Sequence, residues 1–287
     1  MSQKIAVNIY ERLADGYHSN TEIYLESAWK TIFDRFDFRG KRAFLDLGCG
    51  PGGTITLISQ QLKGENVKFT GVDICNAILE KARTEAASAV AGNGHMVEFK
   101  SGDALKFLDH CPEKFDVVIA SMLLAYVKPE ELFPLIPHVL KNNGAFIVLS
   151  TSKGLLKEIE TIFWNFAVTH PLFFKWHAVL TEKATHVITL DRMIGQLAGF
   201  SKMTSFPVNI KIQFTDPIKC LDWTEHSGLA APFFDLIKPG KRGQAMDELV
   251  KYAERHGTEL FHQMIKYGKP FLFCWPLDCI IAEKHTI

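Results

Sequence analysis

Ala43-Phe44-Leu45-Asp46-Leu47-Gly48-Cys49-Gly50-Pro51-Gly52-Gly53 is the stretch on which the reading of this chain turns. A short apolar strand runs into a glycine-dense turn, and a helix starts near Thr54. Glycines at such a turn let backbone approach a ligand closely, and the N–H groups of the next helix's first turn face it. Asp46 precedes the turn, and a second strand, Val67 to Val72, delivers Asp73 at its end. A carboxylate in that place can accept hydrogen bonds from both hydroxyls of a ribose. The pattern predicts a nucleotide-type cofactor site.

Gly48, Gly50 and Gly53 also satisfy the dinucleotide spacing G-x-G-x-x-G, which alone is weakly specific. Two local features separate the candidates. Asp46 can accept hydrogen bonds from an ammonium group, whereas it would repel a pyrophosphate. Ser101-Gly102-Asp103-Ala104, after a third strand over Met96 to Lys100, places Asp103 within reach of an adenine amine. Together they favour S-adenosylmethionine, with NAD as the alternative on the same doubly wound logic. The candidate cofactor residues are Tyr10, Asp46, Gly48, Gly50, Gly52, Asp73, Ile74, Gly102, Asp103, Ala104 and Ser121.

The run Leu45 to Gly52, with Asp73 and Gly102-Asp103, resembles class I S-adenosylmethionine-dependent methyltransferases over about the first half of the chain. That resemblance implies an α/β, Rossmann-like sheet of seven strands with the last antiparallel. The patterning outside the motif suits it. Strand and helix signals alternate regularly from Phe44 to Ser150. Phe115-Asp116-Val117-Val118-Ile119-Ala120 reads as a central strand buried on both faces. A helix is expected from Pro129 to Lys141, ended by Asn142-Asn143-Gly144, and a strand over 145–150. Phe206 to Phe214 alternates like a strand with one exposed face, and Phe271 to Glu283 reads as the last strand.

One domain over 1–287 is expected, with a helical lid over 1–40 and a cofactor-binding core over 41–150. Insertions 151–205 and 215–270 would form a helical substrate cap, and 206–214 with 271–283 the closing strands. The second insertion is far longer than a hairpin loop and helical in pattern.

Composition bounds the partners. At 287 residues and 47% hydrophobic content, a large core can be buried. Lys+Arg and Asp+Glu both number 32, so the net charge is zero and no basic surface for nucleic acid is expected. No apolar run has the length of a membrane span, and no signal-peptide core is evident. Six cysteines without a Cys-x-x-Cys pair suit reduced thiols in a cytoplasmic protein. Oligomeric state is not legible.

After the fourth strand the chain reads Ser121-Met122-Leu123-Leu124-Ala125-Tyr126-Val127-Lys128. It lacks the Asp/Asn-Pro-Pro-aromatic motif of amino-methylating DNA enzymes and the Pro-Cys of pyrimidine-C5 enzymes. It also lacks the paired glutamates of arginine-methylating enzymes and the carboxylate that catechol-type enzymes give to magnesium. By elimination the acceptor is a small molecule and no metal is expected.

Three short segments resemble the histamine N-methyltransferase family: Tyr10 with Tyr17-His18-Ser19-Asn20-Thr21-Glu22, Leu123 to Lys128, and Phe273-Cys274-Trp275-Pro276-Leu277. The resemblance implies an amine-binding Glu22 and a pocket-lining Tyr126. Trp275 stands where that family has an asparagine, and Ala125 replaces a tyrosine. Substrate candidates are thus Tyr17, Glu22, Tyr126, Trp164, Trp176 and Trp275, with Glu22, Tyr126 and His170 as candidate catalytic groups. His177, His186 and His226 are further candidate bases. Phe163, Phe166, Phe173 and Phe174 are candidates to desolvate the acceptor. The alternatives are carboxyl or hydroxyl O-methylation, and a non-catalytic S-adenosylmethionine-binding regulator.

Overall fold

The computed structural model describes residues 3–17, 21–152, 157–175, 190–197, 199–228, 234–256, 266–267 and 270–284. Seven strands form one sheet in the order β3-β2-β1-β4-β5-β7-β6. They are β1 (Ala43–Leu47), β2 (Lys68–Asp73), β3 (Met96–Ser101), β4 (Phe115–Ser121), β5 (Leu140–Thr151), β6 (Lys202–Phe214) and β7 (Phe271–Glu283). The first five are mutually parallel, and β7 lies antiparallel to both β5 and β6. This is the expected Rossmann-like methyltransferase sheet.

Burial follows sequence pattern and position in the sheet. Central β4 buries Val117 to Ala120 without a break, as a strand covered on both faces must. Edge strand β6 buries Phe206, Val208, Ile210, Ile212 and Phe214 and exposes the residues between them. Its alternation begins where the sequence suggests, but the ladder to β7 extends back to Lys202.

Two expectations need correction. The helix from Pro129 to Lys141 is broken into Pro129–Leu132, a 3-10 turn Phe133–Leu135 and Ile136–Val139. Pro134 and Pro137 each lack an N–H and crowd the preceding turn, so one continuous helix cannot form. Strand β5 then starts at Leu140 rather than Ala145. Asn143 takes a left-handed conformation (φ 60°) inside it, so Asn142-Asn143-Gly144 is an irregularity within the strand, not a helix stop. The helix after β2, in contrast, continues from Asn76 to Gly92, with a π turn at Ala82–Ala86.

Two N-terminal helices, α1 (Gln3–Leu13) and α2 (Ile23–Phe33), precede the sheet, and α3 (Gly53–Gln61) follows β1. The α1 end is tied to the core by Lys81–Asp15 at 2.8 Å and to the segment after β6 by Arg12–Asp235. Buried Thr21 donates to the Ser227 carbonyl at 2.7 Å. Among the described residues no helix is long and apolar enough to cross a membrane, and all six cysteines are free thiols.

Candidate active site

The parallel register brings the C-terminal ends of β1, β2, β3 and β4 to one edge, where a cleft opens. The glycine turn is pinned there because the N–H groups of Gly48 and Cys49 donate to the Val72 carbonyl at 2.8 and 3.1 Å. Gly52 cannot be replaced at low cost. Its φ is +90°, and an added Cβ would stand 2.6 Å from that of Ala86 on the π turn.

Of the cofactor candidates, Tyr10, Gly48, Gly50, Asp73, Ile74, Gly102, Asp103, Ala104 and Ser121 line the cleft. Asp73 Oδ2 accepts from the Gly50 N–H and Oδ1 from the Cys75 N–H, both at 2.9 Å. Burial raises its pKa, and these backbone bonds pull it back. Asp103 caps the helix Ala104–His110, accepting from the Lys106 N–H at 2.9 Å. Its ordinary turn role and its place on the cleft wall therefore coexist. Ser121 ends β4 with a buried hydroxyl that has no hydrogen-bond partner among the described residues.

Asp46 lies beneath this wall, 2% exposed, and neither carboxylate oxygen has a partner among the described residues. Its pKa is driven well above the ordinary value by burial, then by the charges of Glu22 and Asp73. An unpaired ionised carboxylate in such a place costs on the order of several kcal/mol, so the position suits a cationic ligand.

The opposite wall is phenolic. The Tyr10 and Tyr126 hydroxyls lie 2.6 Å apart. The Tyr10 ring meets those of Tyr17 and Tyr126 edge-on, at centroid distances of 5.4 and 5.6 Å. All three lie on the cleft. Burial pushes the Tyr126 phenol up to about 12 and raises Tyr10 and Tyr17 further, so all three are neutral donors at physiological pH.

Glu22 does not line this cleft. Its Oε1 accepts from the Gly53 N–H at 3.0 Å, at the first residue of α3. Among the described residues, Trp164, His170, His226 and Trp275 do not line the cleft. Trp275 is fully buried in β7, packs against Trp223 and donates its indole N–H to Thr151 Oγ1 at 3.3 Å. It sits inside because Phe273, Trp275, Leu277 and Cys279 alternate onto a covered sheet face. Trp164 is half-buried against Phe163. Phe163, Phe166 and Phe174 are buried against one another, with centroids 5.4 to 5.9 Å apart, and so fill a core rather than line a cavity. His170 stacks on Phe166 at 4.4 Å and bonds Thr169 Oγ1 at 2.9 Å, while His226 bonds the Asp222 carbonyl. Trp176, His177 and His186 lie outside the described residues.

The sequence reading missed Val72, Ile78, Met122, Leu123 and Val127, all on the cleft wall. Met122 carries the decisive geometry. It adopts φ +59°, donates its N–H to the Leu149 carbonyl at 2.7 Å, and turns the chain so that the Leu123 side chain meets Gly48. No glycine or proline marks that bend.

The family described as "Methyltransferase domain" matches residues 39–191, just over half of the chain. The chain belongs to this family, and its cofactor is S-adenosylmethionine. A trans-aconitate 2-methyltransferase of Enterobacter is 26% identical over 84% of this chain and 86% of its own length. A carboxy-S-adenosyl-L-methionine synthase of Desulfotalea psychrophila is 27% identical over 42% of this chain. The chain spans 50% of that synthase and 41% of a malonyl-[acyl-carrier protein] O-methyltransferase of Herminiimonas arsenicoxydans, which is 26% identical. The solved YcgJ protein of Bacillus subtilis shares the fold, with a TM-score of 0.55 at 15% identity, covering 90% of this chain and 98% of that one.

Proposed function

We infer that this protein methylates a small-molecule acceptor at an amine or aromatic nitrogen. One observation carries the reading: Asp46, Asp73 and Glu22 converge on the glycine turn, where the charges of Glu22 and Asp73 both act on buried Asp46. Those three carboxylates carry three negative charges when ionised. S-adenosylmethionine, with a sulfonium, an ammonium and a carboxylate, brings a net single positive charge. An acidic surround of this kind suits a neutral nitrogen acceptor better than a carboxylate, which it would repel.

Roles follow from position. Asp46 suits the donor's ammonium and Asp73 its ribose hydroxyls, and Asp103, at the start of its helix, suits the adenine amine. Gly48, Gly50, Gly102 and Ala104 let backbone approach, while Ile74 and Ser121 complete the wall. The residue-level likeness of Tyr17 to Glu22 and Leu123 to Lys128 to histamine N-methyltransferases supports an amine.

The bound donor supplies a methyl group on positively charged sulfur, which keeps the C–S electron pair when the acceptor attacks. Tyr10, Tyr17 and Tyr126 exclude water and hold the acceptor in line; such positioning contributes roughly 7–11 kcal/mol. A neutral nitrogen lone pair forms the new N–C bond, and the product ammonium loses its proton to solvent after release. Phenols held this far above their ordinary range cannot act as bases at neutral pH.

The second reading, carboxyl O-methylation, is favoured by the trans-aconitate relative, which spans most of the chain. Incubation with methyl-labelled donor and separate panels of amines and carboxylic acids divides the two. A base-stable N-methyl product is expected. A base-labile ester would remove the nitrogen assignment, and donor binding without any turnover would favour the regulator reading.

A further inference from the structure

A second cavity lies behind the glycine turn, between α2, α3 and the π turn Ala82–Ala86. The turn is a wall common to both cavities. Gly48 and Gly50 line the cofactor cleft, Pro51 and Gly53 line the second cavity, and no described residue lines both. The floor of the second cavity is apolar, with Leu25 and Trp29 buried and Phe33 and Leu57 half-buried beside them. Its rim is acidic: Glu22, Glu26 and Glu85 stand there against the ammonium of Lys30.

Two features distinguish this cavity from a wet groove between helices. The first is in the floor. The Trp29 side chain is fully buried, yet its indole N–H has no hydrogen-bond partner among the described residues. The equally buried Trp275 donates to Thr151 Oγ1. A buried donor left unpaired is costly and calls for an acceptor. The second feature is in the rim. Glu22 is engaged with the Gly53 N–H, but neither Glu26 nor Glu85 forms an ion pair among the described residues. These carboxylates do not converge on a point, because no cluster of three acidic, histidine or cysteine side chains among the described residues is placed to hold a metal ion. Acidic groups spread around an apolar floor suit a cation of organic size. The π turn brings Glu85 and Ala86 to this wall, and π turns are frequent at functional sites.

We propose that this cavity binds a small organic cation: an ammonium on an apolar or aromatic body, with a neutral oxygen that accepts from the Trp29 indole. The ammonium is held toward Glu26 and Glu85 on the rim, and the body covers Phe33 and Leu57. This site requires neither methyl donor nor methyl acceptor, so it stands or falls independently of the nitrogen assignment.

Phenoxyethylamine, which joins an ammonium, an ether oxygen and a ring, is the probe. It is titrated into the full chain saturated with S-adenosylhomocysteine. Proton–nitrogen correlation spectra follow the indole resonances, and the Trp29 signal is identified by its loss in Trp29→Phe. That signal should shift saturably. Phenoxyethanol, of similar size without the charge, should bind about tenfold more weakly, the scale of two exposed charge pairs. The double substitution Glu26→Gln with Glu85→Gln should lower the amine's affinity by the same factor and leave phenoxyethanol and S-adenosylhomocysteine within about twofold. Raising the salt concentration should narrow the gap between the two probes. An unmoved Trp29 resonance would overturn the proposal, leaving any amine binding to the cofactor cleft. Equal affinity of the amine for the native chain and the double variant would overturn it too, since the acidic rim would then recognise nothing.

Discussion

The two walls of the cleft are built differently. The donor wall stands on four adjacent parallel strand ends, and its contacts are largely backbone: the Gly48 and Cys49 N–H groups on Val72, and the Gly50 and Cys75 N–H groups on Asp73. The phenolic wall is assembled from side chains of distant origin. Tyr10 and Tyr126 meet although 116 residues separate them. Strand register fixes the first wall to within hydrogen-bond tolerance and leaves little freedom of substitution. The second depends on where α1 and the turn after β4 bring their side chains, so its residues can change without disturbing the sheet. Such a division lets one donor site serve many acceptors.

If the donor wall is the rigid one, its loss should give the largest effect. Asp73→Ala removes the proposed ribose acceptor and strands two backbone N–H groups that now donate to it. Cofactor affinity should fall by at least about 100-fold, roughly two lost charge-assisted hydrogen bonds, as measured by calorimetry. Unchanged affinity would contradict the assignment of this strand end to the cofactor.

Asp46→Asn should separate binding from stability. Cofactor affinity should drop about tenfold, the loss of one close opposite charge, while the ligand-free protein melts at higher temperature because a buried unpaired carboxylate is gone. The pH dependence has a defined sign. Asp46 binds a proton more tightly in the folded protein than in the unfolded chain, where its ordinary value is 3.8. Its contribution to ligand-free stability is complete below about pH 4 and is lost as pH rises through the raised folded value. The amide substitution should flatten that slope in thermal melts as pH rises above about 4. A slope identical to that of the native chain would place the titration elsewhere.

The same division explains what could be read from the sequence. Asp46, the glycine turn, Asp73 and Asp103 are legible because each is local: a strand end, a turn and a helix start, in an order that parallel topology imposes. Tyr126 and Glu22 could be singled out only by resemblance, and no local signal shows that Glu22 would face α3 rather than an acceptor. The aromatic clusters misled for a physical reason. Phe163, Phe166 and Phe174 have the composition of a pocket wall, yet they bury one another. Periodicity cannot distinguish a ring that lines a void from one that fills it. Trp275 fails similarly, since its strand alternates onto a covered face. The break at Pro134 and Pro137 was, by contrast, available in the sequence, because two prolines inside an expected helix already argue against continuity.

The phenolic wall should respond more gently and in a different observable. Tyr126→Phe keeps the ring that meets Tyr10 edge-on and deletes only the hydroxyl. One net hydrogen bond of about 1 kcal/mol corresponds to about fivefold, and this should fall on the acceptor's KM because the Tyr10–Tyr126 hydroxyl contact on that side is lost. Cofactor affinity should remain within about twofold, roughly the limit of independent sites, since no backbone contact of the donor wall involves the hydroxyl. The pair of measurements tests the comparison directly. A cofactor defect as large as the acceptor defect would mean that the two walls act as one unit, with the tyrosines transmitting lid position to the glycine turn. A defect confined to the acceptor would establish that the sheet holds the donor by itself and that the lid selects what is methylated.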